Sequence, residues 1–297
     1  MDLKAILAGL AFAIMWSSAF TSARIIVADA SPMLALTLRY AISGLLGVAI
    51  ARALGQSWSL TPAQWRATIV FGVLQNAVYL GLNFVAMQTV EASLAAIVAS
   101  TMPLLVALAT WIVLGERLRP LGIAGLVAGL VGVVIIMGAR ISGGVDLFGL
   151  ALCGIGVLAL TVATLSVRGA TSGGNFLMIV GLQMLVGCLA CGIALALFET
   201  PRLEPSLPLA LAFAYTTLVP GLAATFVWFW LVNRIGATRA ATFHFLNPFF
   251  GVAIAALLLS EPLGGRDILG VAVITLGILA VQIARQPRRD RDRAPAS

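Results

Sequence analysis

Long apolar runs alternate with short polar punctuation along this chain, and the length of the runs decides what they are. Cutting at charges, prolines and polar clusters leaves ten mostly apolar segments, at about 5–23, 32–51, 67–88, 93–114, 121–139, 147–167, 176–198, 208–231, 238–259 and 268–284. A helix needs about 20 mostly apolar residues to cross the hydrocarbon core of a bilayer. Backbone polar groups in lipid must be satisfied within the segment, so each run predicts a transmembrane helix. The opening "MDLKAILAGLAFAIMWSSAFTSA" also has the form of a signal peptide cut after Ala23. Its apolar stretch is long for that purpose and a later span matches it, so it is read as the first span. No segment between spans is long enough for a globular domain.

Two of these runs share one grammar. "MPLLVALATWIVLGERL" and "NPFFGVAIAALLLSEPL" each place a glutamate 13 residues after a proline, Pro103 to Glu116 and Pro248 to Glu261, at an offset of 145. The same offset sets Ala95 and Ala96 over Ala240 and Ala241, Gly125 over Gly270, Gly132 over Gly277 and Arg140 over Arg285. At 144, Asp2-Leu3 falls over Asp146-Leu147 and Arg24 over Arg168. The chain therefore reads as two five-span halves, 1–140 and 146–286, with a basic tail at 287–297. Five is odd, so the second half enters the membrane upside down. The predicted fold is an all-α membrane protein of ten transmembrane helices in two inverted five-helix repeats, an architecture used for alternating access around a midplane site.

Composition agrees. Of 297 residues 61% are hydrophobic and 10% charged, where a soluble domain has roughly 45–50% and about 25%. With the N-terminus in the cytoplasm, 13 lysines and arginines fall on the cytoplasmic side and 4 on the other, Arg39 lying within a span. That bias predicts both termini cytoplasmic in a multi-pass protein of the cell (inner) membrane. It also accounts for the net charge of +7 without a nucleic-acid partner, since no soluble domain carries a basic face. Three cysteines, all in apolar segments, and a single histidine cannot assemble a metal-ligand cluster, and no cofactor is expected.

"WSSAF" at 16–20, "SPMLALTLRY" at 31–40, the proline spans ending in "GERL" and "SEPL", and the glycine-spaced "GIAGLVAGLVGVVIIMGAR" and "DILGVAVITLGILAVQIAR" occur in a familiar order. In that order and duplication the chain resembles the drug/metabolite transporter superfamily, specifically its ten-span EamA-type members, over nearly its whole length. The resemblance implies export or uptake of small metabolites, amino acids and their relatives being a frequent substrate class. An arginine at the place of Arg39 belongs to the family's general pattern.

Polar residues at membrane depth face a bundle or a cavity and mark candidate sites. Gln75, Tyr79, Asn83 and Met87 recur every four residues on one face of the third span; they read either as a substrate-binding stripe or as interhelical hydrogen bonds. Arg39 holds a substrate carboxylate, or else snorkels or pairs with Glu91. His244 and Asn247 stand one turn apart before Pro248, whose missing N–H leaves the His244 carbonyl without its usual donor. His244 either carries a proton or bonds a neighbouring helix. Pro103 and Pro248 form a symmetric pair of kinks, read as gating elements. Trp16, deep in its span, leads a candidate aromatic wall with Tyr215, Trp228 and Trp230. Glu116 and Glu261 suit capping or pairing with arginines. The glycines at 122, 125, 129 and 132 serve internal packing or a homodimer face, a monomer being equally acceptable.

The reading is a secondary transporter moving small metabolites across the bilayer by alternating access, most directly an exporter of amino acids or related compounds. Organic cations and nucleoside-like solutes are the alternative cargo. The chain has no G-x-x-x-x-G-K-[ST] motif, and the first span lacks an acid, so proton coupling would use His244 or Glu91, or transport is facilitated. An intramembrane enzyme is the other class; one histidine and no deep acid pair argue against it.

Overall fold

The computed structural model describes residues 2–113, 115–166 and 174–285. Ten helices long and apolar enough to cross a membrane cover Leu3–Asp29, Pro32–Ala53, Pro62–Ala86, Ala92–Ile112, Pro120–Ser142, Leu147–Ser166, Phe176–Phe198, Leu207–Val232, Arg239–Leu259 and Gly265–Ala284. Among the described residues the one β-contact is an isolated antiparallel bridge between Ala30 and Leu203. The tail at 287–297 and the charge at Arg168 lie outside the described residues.

Two spans begin or end elsewhere than polar punctuation suggests. The first does not stop at Arg24: its guanidinium donates to the Met87 carbonyl, and the helix continues to Asp29. The third starts five residues before 67, because Thr61 and Gln64 form a reciprocal capping box ahead of Pro62. In both places a charge sits inside a helix whose end is set by backbone capping.

The repeat is visible in the packing. The first, third and fourth spans pack against the sixth, eighth and ninth in the centre, the first on the eighth and ninth, the third and fourth on the sixth. Two side-by-side pairs complete the bundle, the second span with the seventh and the fifth with the tenth. Glycines allow both pairs to close. A Cβ added at Gly181 would stand 2.6 Å from the Val48 nitrogen. One at Gly125 would stand 2.7 Å from the Gly277 carbonyl, and one at Gly132 2.9 Å from the Gly270 carbonyl. The face bearing Gly125 and Gly132 is therefore occupied by the tenth span of the same chain.

Carboxylates close the helix ends at one end of the bundle. Ser260, in the left-handed conformation at φ 54°, ends the ninth span and presents Glu261 to the fourth. Glu261 there accepts from the N–H groups of Ala92 and Ser93 at 2.7 and 2.9 Å. Glu199 does the same for the second span, accepting from Met33 and Leu34 at 2.8 and 3.3 Å. Each places a negative charge on orphan N–H groups at the positive end of a helix. Capping, one of the two roles expected of Glu261, is what it performs. Glu91 binds Arg140 at 2.5 Å rather than Arg39, and Asp267 holds Arg140 from the tenth span at 3.1 Å.

Four spans are interrupted near their middles. The fourth is α-helical over Ala92–Ser100 and Met102–Ile112, with Pro103 at the start of the second piece. The ninth passes through a 3₁₀ segment, Phe243–Leu246, before Pro248. The His244 carbonyl is not left bare by that proline: the 3₁₀ turn brings the Asn247 N–H onto it, as the Thr101 N–H reaches the Val98 carbonyl at 3.1 Å. The third and eighth spans carry π-helical turns, Gly72–Tyr79 and Val219–Ala223, and the repeat offset places the second inside the first. Such turns are rare and collect at functional sites.

Candidate functional site

The interruptions surround the centre of the bundle, and there two hollows meet. The larger, a cavity of about 100 Å³, lies among the first, second, third, seventh and eighth spans. The smaller, about 20 Å³, lies among the first, third, fourth, sixth and ninth. Trp16, Phe20 and Tyr79 line both, so the two are neighbouring lobes of one internal space.

The third span supplies most of the polar lining. Gln75, Tyr79, Asn83 and Met87 all face the larger lobe, with Asn76 between them. The π turn explains the width of this face: it takes more residues per turn than an α-helix, so Gln75 and Asn76 both address the interior. Asn83 donates from Nδ2 to the Tyr79 carbonyl at 2.8 Å, leaving its Oδ1 buried without a partner. Asn76 donates to the Gln183 carbonyl at 2.9 Å, and its own carbonyl accepts from the Tyr40 hydroxyl at 3.2 Å. Gly72 and Gly187 bring these spans together, a Cβ at Gly187 falling 2.5 Å from that of Asn76.

Arg39 enters the same lobe from the second span. It is 8% exposed, its guanidinium lies 5.5 Å from the Tyr40 ring centroid, and its Nε has no hydrogen-bond partner. It neither snorkels to a surface nor meets Glu91. The π turn of the eighth span lies opposite, where a Cβ at Gly221 would come 3.6 Å from an Arg39 terminal nitrogen. Arg39 is the one charged side chain lining either lobe among the described residues.

The smaller lobe collects the remaining candidates: His244, Asn247 and Pro103 line it with Ser100. Pro248, buried, follows Asn247 at the same break. Asn247 Nδ2 lies 2.9 Å from His244 Nδ1, Ser17 donates to the Asn247 carbonyl at 3.2 Å, and Asn247 Oδ1 has no partner. The His244 ring stands edge-on to Phe12 and Trp16 at 5.2 and 5.9 Å and tilted to Trp228 at 5.2 Å. The aromatic wall thus consists of Phe12, Trp16 and Trp228 around the imidazole. Tyr215 and Trp230 do not belong to it: they are 39% and 42% exposed. Tyr215 instead exchanges a 2.8 Å hydrogen bond with Ser18, and Trp230 lies under Arg234.

Trp16, Arg39, Gln75, Tyr79, Asn83, Met87, Pro103, His244, Asn247 and Pro248 thus come from five spans to these two hollows or their edge. Asn76, Gln183, Tyr40 and Phe20 were not singled out in the sequence. Asn76 breaks the spacing of four that picks out its neighbours. Gln183 is the lone amide of its apolar run, a signal too slight without its neighbours in space.

The model of the EamA-like transporter family matches residues 3–138 and again 147–282. The chain is 28% identical over 272 residues to an uncharacterized transporter of Archaeoglobus fulgidus, covering 90% of this chain and 94% of that protein. It is 26% identical over 278 residues to the uncharacterized inner membrane transporter YedA of Escherichia coli K12, covering 91% and 86%. A protein solved by crystallography has the same fold at a TM-score of 0.67 and 22% identity, with 96% of this chain and 100% of that one covered.

Proposed function

Since the chain belongs to the EamA-like transporter family and is a multi-pass membrane protein, we propose that its cargo is a small metabolite, an amino acid or a related compound, exported by alternating access of the two repeats. The observation that carries the reading is the two-lobed central space, built by both repeats and bounded by four interrupted spans. Interrupted helices free backbone groups and supply points at which half-helices can tilt. The Pro103 and Pro248 breaks on either side of the smaller lobe serve as the gate. Both termini face the cytoplasm in this scheme, and Glu261 and Glu199 close helix ends on the opposite side.

Purified protein in liposomes preloaded with unlabelled amino acids should accumulate the labelled solute by counterflow. Gln75→Ala and Asn83→Ala should reduce the rate with the protein still folded. Counterflow of nucleosides or organic cations with none for any amino acid would overturn the cargo, and covalent change of the solute would overturn the transporter reading for this chain.

A further inference from the structure

Four side-chain amides reach the wall of the larger lobe, and they are not equivalent. Asn76 and Asn83 are buried and spend their Nδ2 groups on the Gln183 and Tyr79 carbonyls at 2.9 and 2.8 Å. Gln75, from the third span, and Gln183, from the seventh, are only half-buried where they line the lobe. Among the described residues no hydrogen bond engages either glutamine amide; the bond at Gln183 uses its backbone carbonyl. The hydrocarbon core offers such groups no water, so each needs a partner from inside the hollow.

Packing of the third span on the seventh sets the two on one wall. Asn76 Nδ2 fixes the Gln183 carbonyl, and Gly72 permits the approach, since a Cβ there would stand 2.7 Å from the same oxygen. The π turn Gly72–Tyr79 directs Gln75 into the lobe beside Asn76. Each repeat therefore supplies one free amide. The lobe, about 100 Å³, is large enough for several waters, and Phe20, Leu80, Phe84 and Met184 make the lining around the amides apolar.

A primary amide offers two N–H donors and a carbonyl acceptor, so the pair matches a group that presents a donor beside an acceptor. An apolar group of the same shape strips water from both amides and returns nothing, which a site built for hydrogen bonding penalises. Resting on the transporter reading above, we propose that Gln183, together with Gln75, determines specificity: the larger lobe selects cargo whose uncharged end carries a donor beside an acceptor, as a carboxamide or a nucleobase edge does, over cargo with an apolar end of that shape.

L-asparagine and L-leucine test this, because they are close in shape and differ in a carboxamide against an isopropyl group. Uridine carries the same donor–acceptor chemistry outside an amino acid. Thermal unfolding of the full-length protein in detergent is recorded with each solute at increasing concentration, since a ligand of the native state raises the transition temperature. L-asparagine should act at a concentration about tenfold below L-leucine, the order of one net hydrogen bond. Gln183→Met and Gln75→Met keep the side-chain length and remove the amide. Each should weaken L-asparagine by about tenfold and leave L-leucine unchanged or stronger. The assignment fails if L-leucine acts at the same concentration as L-asparagine, if the preference survives both variants, if each variant weakens both solutes alike, or if none of the three shifts the transition. Counterflow in liposomes separates it from the cargo reading. Flux of amino acids with no preference for the carboxamide removes this assignment and keeps the cargo. Uridine binding and flux, lost in both variants, with none for either amino acid, keeps the assignment and removes the amino-acid cargo.

Discussion

Gly277→Ala tests the contact on which the pairing of the fifth and tenth spans depends. A Cβ there would lie 2.6 Å from the Gly125 carbonyl oxygen, 2.6 Å from the Gly129 nitrogen and 2.7 Å from its Cα. Ordinary contact begins at 3.4 Å, so the helices must part by about 0.8 Å, the difference of those two distances. All the obstructing atoms are backbone, and no rotamer change relieves them. Parting the helices also loosens the cluster of Leu126, Ile136, Ile274, Ile278 and Val281 that their faces share. Overpacking of this kind costs roughly 1–3 kcal/mol, against a gain of about 0.5–1 kcal/mol from replacing a helical glycine with alanine. Gly138→Ala, where nothing lies within 4 Å of the added carbon, collects the gain alone. The gain is common to both, so the two variants should differ by the overpacking cost, roughly 1–3 kcal/mol, with Gly277→Ala the less stable. Purified protein unfolded thermally in one detergent would show Gly277→Ala several degrees below Gly138→Ala. If Gly277→Ala melts with or above Gly138→Ala, the close approach of these two helices is wrong.

Three further outcomes are expected. Glu261→Gln keeps one of the two acceptor oxygens that Ala92 and Ser93 use, sets an NH2 group against the other N–H and removes the charge from the start of the fourth span, which should cost about 0.5–2 kcal/mol in denaturant unfolding; an unchanged midpoint would remove the cap from the fold's stability. The Arg234 guanidinium, and then the Ala5 N–H, hold the Asp2 carboxyl at about 2 against an ordinary 3.8. A folded-state value below the unfolded one adds stability above pH 3.8 that is lost as pH falls toward 2. In Arg234→Gln the Asp2 carboxyl should titrate closer to 3.8 by carbon-13 NMR, and the pair is absent in solution if the titration stays where it was. Pro248→Ala returns a backbone N–H opposite the His244 carbonyl and should straighten the ninth span; counterflow should slow by about tenfold with no loss of thermal stability. Wild-type flux in that variant would remove the break from the gate.

Much of the site was legible because depth and polarity are local properties. Arg39, Gln75, Tyr79, Asn83, His244 and Asn247 stand out as polar groups inside runs that lipid would otherwise solvate, and such groups must face inward. The same reasoning could not separate a group facing a cavity from one spent on a neighbour. Asn76 and Asn83 look alike in the third span; Asn76 spends its Nδ2 on the Gln183 carbonyl of the seventh span and Asn83 on the Tyr79 carbonyl of its own. The alternative of Arg39 paired with Glu91 fails for the same reason, since Glu91 is claimed by Arg140 from a span nearly fifty residues on. Glu199, with nothing to mark it in its loop, caps a helix 166 residues earlier in the chain.

The sequence by itself determined the number of spans, their approximate limits and their division into two inverted halves. Each follows from the fixed thickness of a hydrocarbon layer, the need to satisfy every backbone group within it, and a duplication that leaves residues at constant offset. Only the tertiary structure decided that the second span lies on the seventh and the fifth on the tenth, where the π turns fall, and which buried polar groups remain unpaired. In lipid one apolar face is as well solvated as another, so hydropathy cannot choose a partner for it; the choice is made by shape, where glycines let two backbones come close, and by which donors and acceptors then meet.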